Sequence, residues 1–196
     1  MNRAAELDNL QKLHHEQCVC VLKKTAIQAV FGDGNPDAKI VFIGEAPGKS
    51  EDEQGKPFIG RAGKFLAEML ASIGLKREDI YITNIVKYRP PQNRDPEHQE
   101  KIDCAPWLHA ELNFIKPDVI IFLGRHSMNH FLPELKISEA HGKLVHRKIP
   151  NIITEYFFPL YHPAAALYNG GMRATLMEDF QKIPAILKII KAKKQR

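Results

Sequence analysis

Four short apolar runs limit what this chain can fold into. AKIVFI (38–43), IYITNIV (80–86), VIIFL (119–123) and the stretch 152–160 are rich in β-branched and aromatic residues and are separated by segments of helical period. A run that is apolar on both faces belongs to a strand covered on both sides, and strands alternating with helices build a parallel sheet between two helical layers. The helical segments are 62–73, where Phe65, Leu66, Met69, Leu70 and Ile73 recur at helical spacing before Gly74; 97–115, burying Ile102, Trp107, Leu108 and Leu112; 125–131; and 173–191. An arm reaching to residue 24 also reads as helical. With no internal repeat and no low-complexity linker, one domain is expected over 1–196, with a helical arm (1–24) and a basic tail (192–196).

At 196 residues, 44% of them hydrophobic, such a domain buries a core without needing disulfides or a metal. Lys and Arg number 28 against 23 Asp and Glu, a formal charge of +5 that leans toward a polyanionic partner. Three cysteines, Cys18, Cys20 and Cys104, are too sparse and too odd in number for a disulfide framework, so a reducing cytoplasm is expected. The longest aliphatic and aromatic run, 119–123, is far short of a membrane span, and the start lacks an apolar leader; neither membrane insertion nor export is expected. The tail reads as a solubilising helix end or as a strip that lies along phosphates.

The chemistry-bearing residues collect where the strands end, which is where open α/β sheets bind ligands. The first run leads into Gly44-Glu45-Ala46-Pro47-Gly48, followed by Glu51 and then Gly55-Lys56-Pro57-Phe58-Ile59-Gly60. This turn lacks the Lys-Ser/Thr ending of a P-loop and the spacing of a dinucleotide fingerprint, so neither nucleotide reading is supported. Asn84 falls inside the second run, where an amide is depleted; it is either a satisfied core amide or a reader of a ligand. The prolines of 90–96 make a loop beyond that run. His162 follows the last run, and such a histidine alone is more often structural than functional. Taken together, Glu45, Glu51, Phe58, Asn84 and His162 bring carboxylates, an aromatic face, an amide and an imidazole from three strand ends. That set can hold a flat heterocycle, read its edge and stabilise charge leaving with it.

From VFGDGNPDAKIVFIGEAPGKSEDEQGKPFIGRAGKFL through YITNIVKYRPPQNRDP to YHPAAAL, the chain resembles the family 4 uracil-DNA glycosylases over nearly its whole length. The resemblance implies a three-layer α/β/α sandwich around a central four-stranded parallel sheet. It also implies a monomeric DNA repair enzyme that flips uracil out of single- or double-stranded DNA and hydrolyses its N-glycosidic bond, acting on the nucleoid. In that reading Phe58 stacks on the base, Asn84 accepts from N3–H and donates to O4, and His162 donates to O2 with help from the main-chain amides at Glu45 and Ala46. Glu45 positions the attacking water or stabilises the cationic sugar, and Glu51 shapes the wall beside C5. Arg61, Arg89 and Arg94, with Lys49 and Lys56, are candidate phosphate contacts. A non-catalytic uracil-DNA sensor of the same fold is the alternative.

The chain departs from the family pattern in three places. Ala46 stands where the best-known branch of the superfamily carries a carboxylate, which leaves water activation to Glu45 or to phosphate and sugar charge alone. A leucine wedge expected four residues after His162 is replaced by Ala166, with Leu167 beside it as the substitute. Family 4 enzymes typically hold a [4Fe–4S] cluster on four cysteines; here Cys20 and Cys104 match the second and fourth ligands, while Gln17 and Tyr88 stand at the first and third, and Cys18 is out of register. No cluster is therefore expected, with Tyr88 and Gln17 filling the metal's volume. The alternative is a cluster held by Cys18, Cys20, Cys104 and a further ligand.

Overall fold

In the computed structural model, which describes residues 2–195, the first elements are α1 (Arg3–Gln17), a 3₁₀ turn (Val21–Lys24), β1 (Asp33–Gly34) and β2 (Ile40–Gly44). Next come α2 (Lys49–Gln54), α3 (Arg61–Ser72), β3 (Tyr81–Asn84), α4 (His98–Ile115), β4 (Val119–Leu123) and α5 (Arg125–Phe131). α6 (Ile137–Ala140), β5 (Val145–His146), β6 (Tyr156–Leu160), α7 (Pro163–Ala166), α8 (Gly170–Gln181) and α9 (Ile183–Lys194) complete the order.

Every residue of β2, β3 and β4 is buried, so neither face of the central sheet meets water. Alternate side chains serve opposite layers. Val41, Ile43, Ile120, Phe122 and Phe157 pack with α1, α4 and α5, whereas Phe42, Ile121, Leu123, Phe158 and Leu160 pack with α3, α8 and α9. The result is the α/β/α sandwich. The strand order is β1-β3-β2-β4-β6-β5; the central four strands are parallel, and β1 and β5 pair antiparallel at the two edges. The expected four-stranded parallel sheet is thus the centre of a six-stranded mixed one. β2 has β3 on one side and β4 on the other, so the chain leaves it in opposite directions and a crevice opens at its carboxyl end.

The structure corrects several element boundaries. The runs 80–86 and 152–160 shorten to β3 and β6, because the ladder stops at Asn84 and begins at Tyr156. The single closing helix becomes α8 and α9, which meet at Lys182; Pro184 has no N–H with which to continue α8. Ile102, expected in the core, is 48% exposed. Part of the basic tail extends α9, and Lys194 pairs with Asp118; Met1 and Arg196 lie outside the described residues. No helix among the described residues is long and apolar enough to cross a membrane.

Candidate active site

β2 delivers the turn that begins the site. Gly44 O and Glu45 O accept from the Ile85 and Val86 amides at 3.1 and 3.2 Å, which fastens the turn to the chain leaving β3. Among the described hydrogen bonds none is donated by the Ala46 amide.

Phe58 is placed by force of its surroundings. It is a non-glycine residue with φ +53°, a conformation disfavoured for aromatic side chains. Arg77 donates to Phe58 O at 2.8 Å and to Pro57 O, and is itself held by Asp33 at 3.1 Å. Glu51 Oε1 accepts from the Ile59 and Gly60 amides at 3.0 and 2.8 Å. Gly63 permits the turn, since a Cβ there would lie 1.8 Å from Phe58 O. So braced, the Phe58 ring lies against Gly44, whose own Cβ would come within 2.5 Å of it and 2.4 Å of Asn84 Oδ1.

Asn84 ends β3 and is 1% exposed, yet its Oδ1 is buried without a partner. Its main-chain carbonyl accepts from Lys87 Nζ at 3.1 Å. Lys87 is itself fully buried in an ion pair with Glu111, which also accepts from Tyr81 Oη, Thr83 Oγ1 and the Gly32 amide, each at 3.0 Å. A polar network under β3 therefore fixes the strand end from which Asn84 projects.

His162 follows β6 as the N-cap of α7, and its Nδ1 accepts from the Ala164 amide at 3.1 Å. In the neutral ring the proton is then on Nε2. Burial pushes the imidazole down to about 4, with His126 adding to the effect and Glu51 opposing it, so His162 is a neutral donor at physiological pH. Its ring centroid is 5.8 Å from that of Phe58.

Glu45, Ala46, Glu51, Phe58, Asn84 and His162 line one cavity of about 360 Å³. Burial, with Asp95 second, raises the Glu45 carboxyl to about 7 against the pull of Lys101 and Arg125. Glu45 Oε1 is buried and unpartnered, with His126 Nδ1 at 3.4 Å. Glu51 lines the cavity and also spends one oxygen on the loop backbone that carries Phe58.

The other expected contacts are placed as follows. Arg61 is exposed, 5.9 Å from the Tyr168 ring. Arg89 donates to Asn93 at 2.7 Å, and Lys49 and Lys56 are exposed. Arg94 lines the cavity, but its guanidinium is bidentate to the buried Glu100 at 2.8 and 2.6 Å, which ties the proline loop to the start of α4. Leu167 is half-buried against the α3 and α8 layer, while Tyr168 beside it is 83% exposed. Sequence reading missed Arg77, Lys87, His126 and Tyr168. Only Lys87, a charge directly after an apolar run, left a signal.

The cysteines converge without completing a cluster site. Cys18, Cys20 and Cys104 are buried, with Cys104 beside both others and Tyr88 next to all three. Gln17 is exposed, which corrects the expectation that it fills this volume. Tyr88 stacks on the buried His14 at 5.3 Å, and Phe31 and Trp107 meet that imidazole edge-on at 4.7 and 5.0 Å. Three thiols and a phenol do not match the four thiolates such a cluster requires.

Fold and cavity together define an α/β protein with a cavity at the carboxyl edge of its sheet, lined by an aromatic face, an amide, an imidazole and two carboxylates. The family model of the Uracil DNA glycosylase superfamily matches residues 31–187. The chain is 47% identical over 189 residues to a Type-4 uracil-DNA glycosylase of Saccharolobus solfataricus, covering 92% of this chain and 88% of that one. The Type-4 uracil-DNA glycosylase of Archaeoglobus fulgidus is 47% identical over 84% of each chain, and that of Thermotoga maritima 39% identical over 86% of this chain and 88% of its own. The chain belongs to the uracil DNA glycosylase superfamily.

Proposed function

We propose that this chain, acting as a monomer, excises uracil from DNA by hydrolysing the N-glycosidic bond and leaves an abasic site. The observation that carries the reading is Asn84 Oδ1, a buried acceptor without a partner in the cavity that Phe58 and His162 also line. An orphaned acceptor costs about 1 to 3 kcal/mol and is explained by a ligand N–H that satisfies it.

The chemistry follows from the groups. A base inside a duplex is out of reach, so the nucleotide swings out at a cost of a few kcal/mol. Stacking on Phe58 returns about 1 to 3 kcal/mol without choosing among bases. The choice falls to Asn84, which accepts from N3–H and donates to O4, a pattern cytosine inverts. As the bond breaks, negative charge gathers on O2, where neutral His162 donates its Nε2–H and the free Ala46 amide adds a second donor. Glu45, as carboxylate, orients water toward the cationic sugar. Arg61, Lys49 and Lys56 meet phosphates, and Tyr168, exposed on the loop after His162, takes the wedge role assigned to Leu167.

The test is multiple-turnover release of uracil from a single-uracil oligonucleotide, followed by alkaline cleavage at the abasic site. Turnover that falls at least about 100-fold in Asn84→Ala is expected. Tight stoichiometric binding without cleavage would favour the sensor reading instead.

A further inference from the structure

His126 lies outside every role assigned so far, yet it stands 3.4 Å from a carboxyl poised near neutrality. It is the second residue of α5, directly beyond β4, and its two ring nitrogens face different partners. Nε2 is 3.0 Å from Arg125 Nε, which donates to it, and 3.1 Å from Asp95 Oδ2. Nε2 cannot both accept from Arg125 and donate to Asp95; the Arg125 N–H can only donate, and in the tautomer that receives it the proton of the neutral ring is on Nδ1. Nδ1 is the nitrogen that faces Glu45 Oε1, at 3.4 Å. That contact is too long to satisfy Oε1, as catalytic hydrogen bonds often are before substrate binds.

We propose that His126 is a positioning residue that holds Glu45 in its carboxylate form, its Nδ1–H closing on Oε1 when DNA covers the cavity. This rests on the reading of Glu45 as the carboxylate that orients water. The groups facing Glu45 from neighbouring elements are Asp95 in the proline loop, Lys101 on α4, and Arg125 and His126 on α5; His162 faces His126 from beyond β6. Asp95 favours the neutral acid and Lys101 and Arg125 favour the carboxylate, while His126, in the tautomer that accepts from Arg125, presents its Nδ1–H toward the buried oxygen. Burial, more than the opposing Asp95, lowers the basicity of the His126 ring and keeps it neutral near pH 7.

Single-turnover uracil excision followed from about pH 5 to about pH 9 tests this. The wild-type rate rises with pH through a midpoint near 7, as Glu45 ionises. In His126→Ala the midpoint moves up by about one unit, so the rate falls about tenfold below the midpoint and recovers at high pH. His126→Asn, whose amide N–H reaches in the same direction as Nδ1–H, restores the wild-type profile. A His126→Ala profile that superimposes on wild type, or that drops equally at every pH, overturns the proposal. So does loss of activity on adding EDTA, since Glu45, Asp95 and His126 have ligand atoms within 4.8 Å of one another and would then be holding a cation. Absence of excision by the wild type at any pH defeats the functional reading alone. In that case ¹³C NMR titration of the Glu45 carboxyl decides, with an upward shift in His126→Ala expected and an unchanged titration overturning the role.

Discussion

A buried carboxyl with a raised pKa weakens the fold whenever it is ionised. Glu45 titrates at about 7 in the folded protein, against an ordinary value of 4.5, chiefly through burial. A group whose folded pKa is raised contributes stability that is fully present below the ordinary value and is lost as pH climbs through the folded one. The window runs from about pH 4.5 to about pH 7. Glu45→Gln keeps the shape and removes the charge, so its melting temperature should match wild type near pH 5 and exceed it near pH 8. The gain has a ceiling of about 3 kcal/mol, reduced by the part of the side chain that still meets water. Thermal unfolding of the two proteins at both pH values measures it, and a gain equal at both would show that Glu45 does not titrate as described. The same substitution removes the rising limb of the excision profile, so stability and activity pull against each other at this one atom pair.

At the scale of elements, the end of β3 is held by a charge pair that most folds avoid. Lys87 and Glu111 are both fully buried, and α4 carries Glu111 across to β3 where Tyr81, Thr83 and the Gly32 amide converge on it. Removing one partner strands the other, which costs about 3 to 5 kcal/mol. Lys87→Met should therefore unfold at markedly lower urea, while Lys87→Met with Glu111→Gln recovers part of the loss; a Lys87→Met midpoint within error of wild type would contradict the network. The apolar runs behind β2, β3, β4 and β6 were readable because burial on both faces keeps them mostly apolar, so that Asn84 stood out as an exception. The same holds for α3, whose apolar stripe is regular. α2, sequence KSEDEQ, has no apolar residue to mark it, and β1 and β5 are two residues each, shorter than any period. Glu45, Phe58, Asn84 and His162 stood out because each falls in or just past a strand or its turn. Arg77, Lys87 and His126 did not, because their partners are made by the fold: Glu111 is 24 residues from Lys87, and Arg77 meets Phe58 19 residues away. Arg94 shows the reverse error, a charge read as free for phosphate that the fold pairs with Glu100.

Across the whole molecule, the arm and the body meet where the three cysteines converge. Cys18 and Cys20 come from the segment after α1, Cys104 from α4 and Tyr88 from the chain after β3, and α1 packs along α4. What fills this junction is aromatic: His14 is wholly buried among Phe31, Tyr88 and Trp107, and neither of its ring nitrogens has a partner. If the arm docks through this packing alone, the imidazole's polarity is a penalty of about 1 to 3 kcal/mol and an apolar residue of similar size should relieve it. His14→Leu is then expected to raise the melting temperature, and protein purified without oxygen should contain neither iron nor sulfide in stoichiometric amount. Iron near about four per chain in wild type, lost together with melting temperature in His14→Leu, would overturn this account. Stability moves in opposite directions in the two cases, so metal content and stability together test whether aromatic packing alone holds the arm to the body.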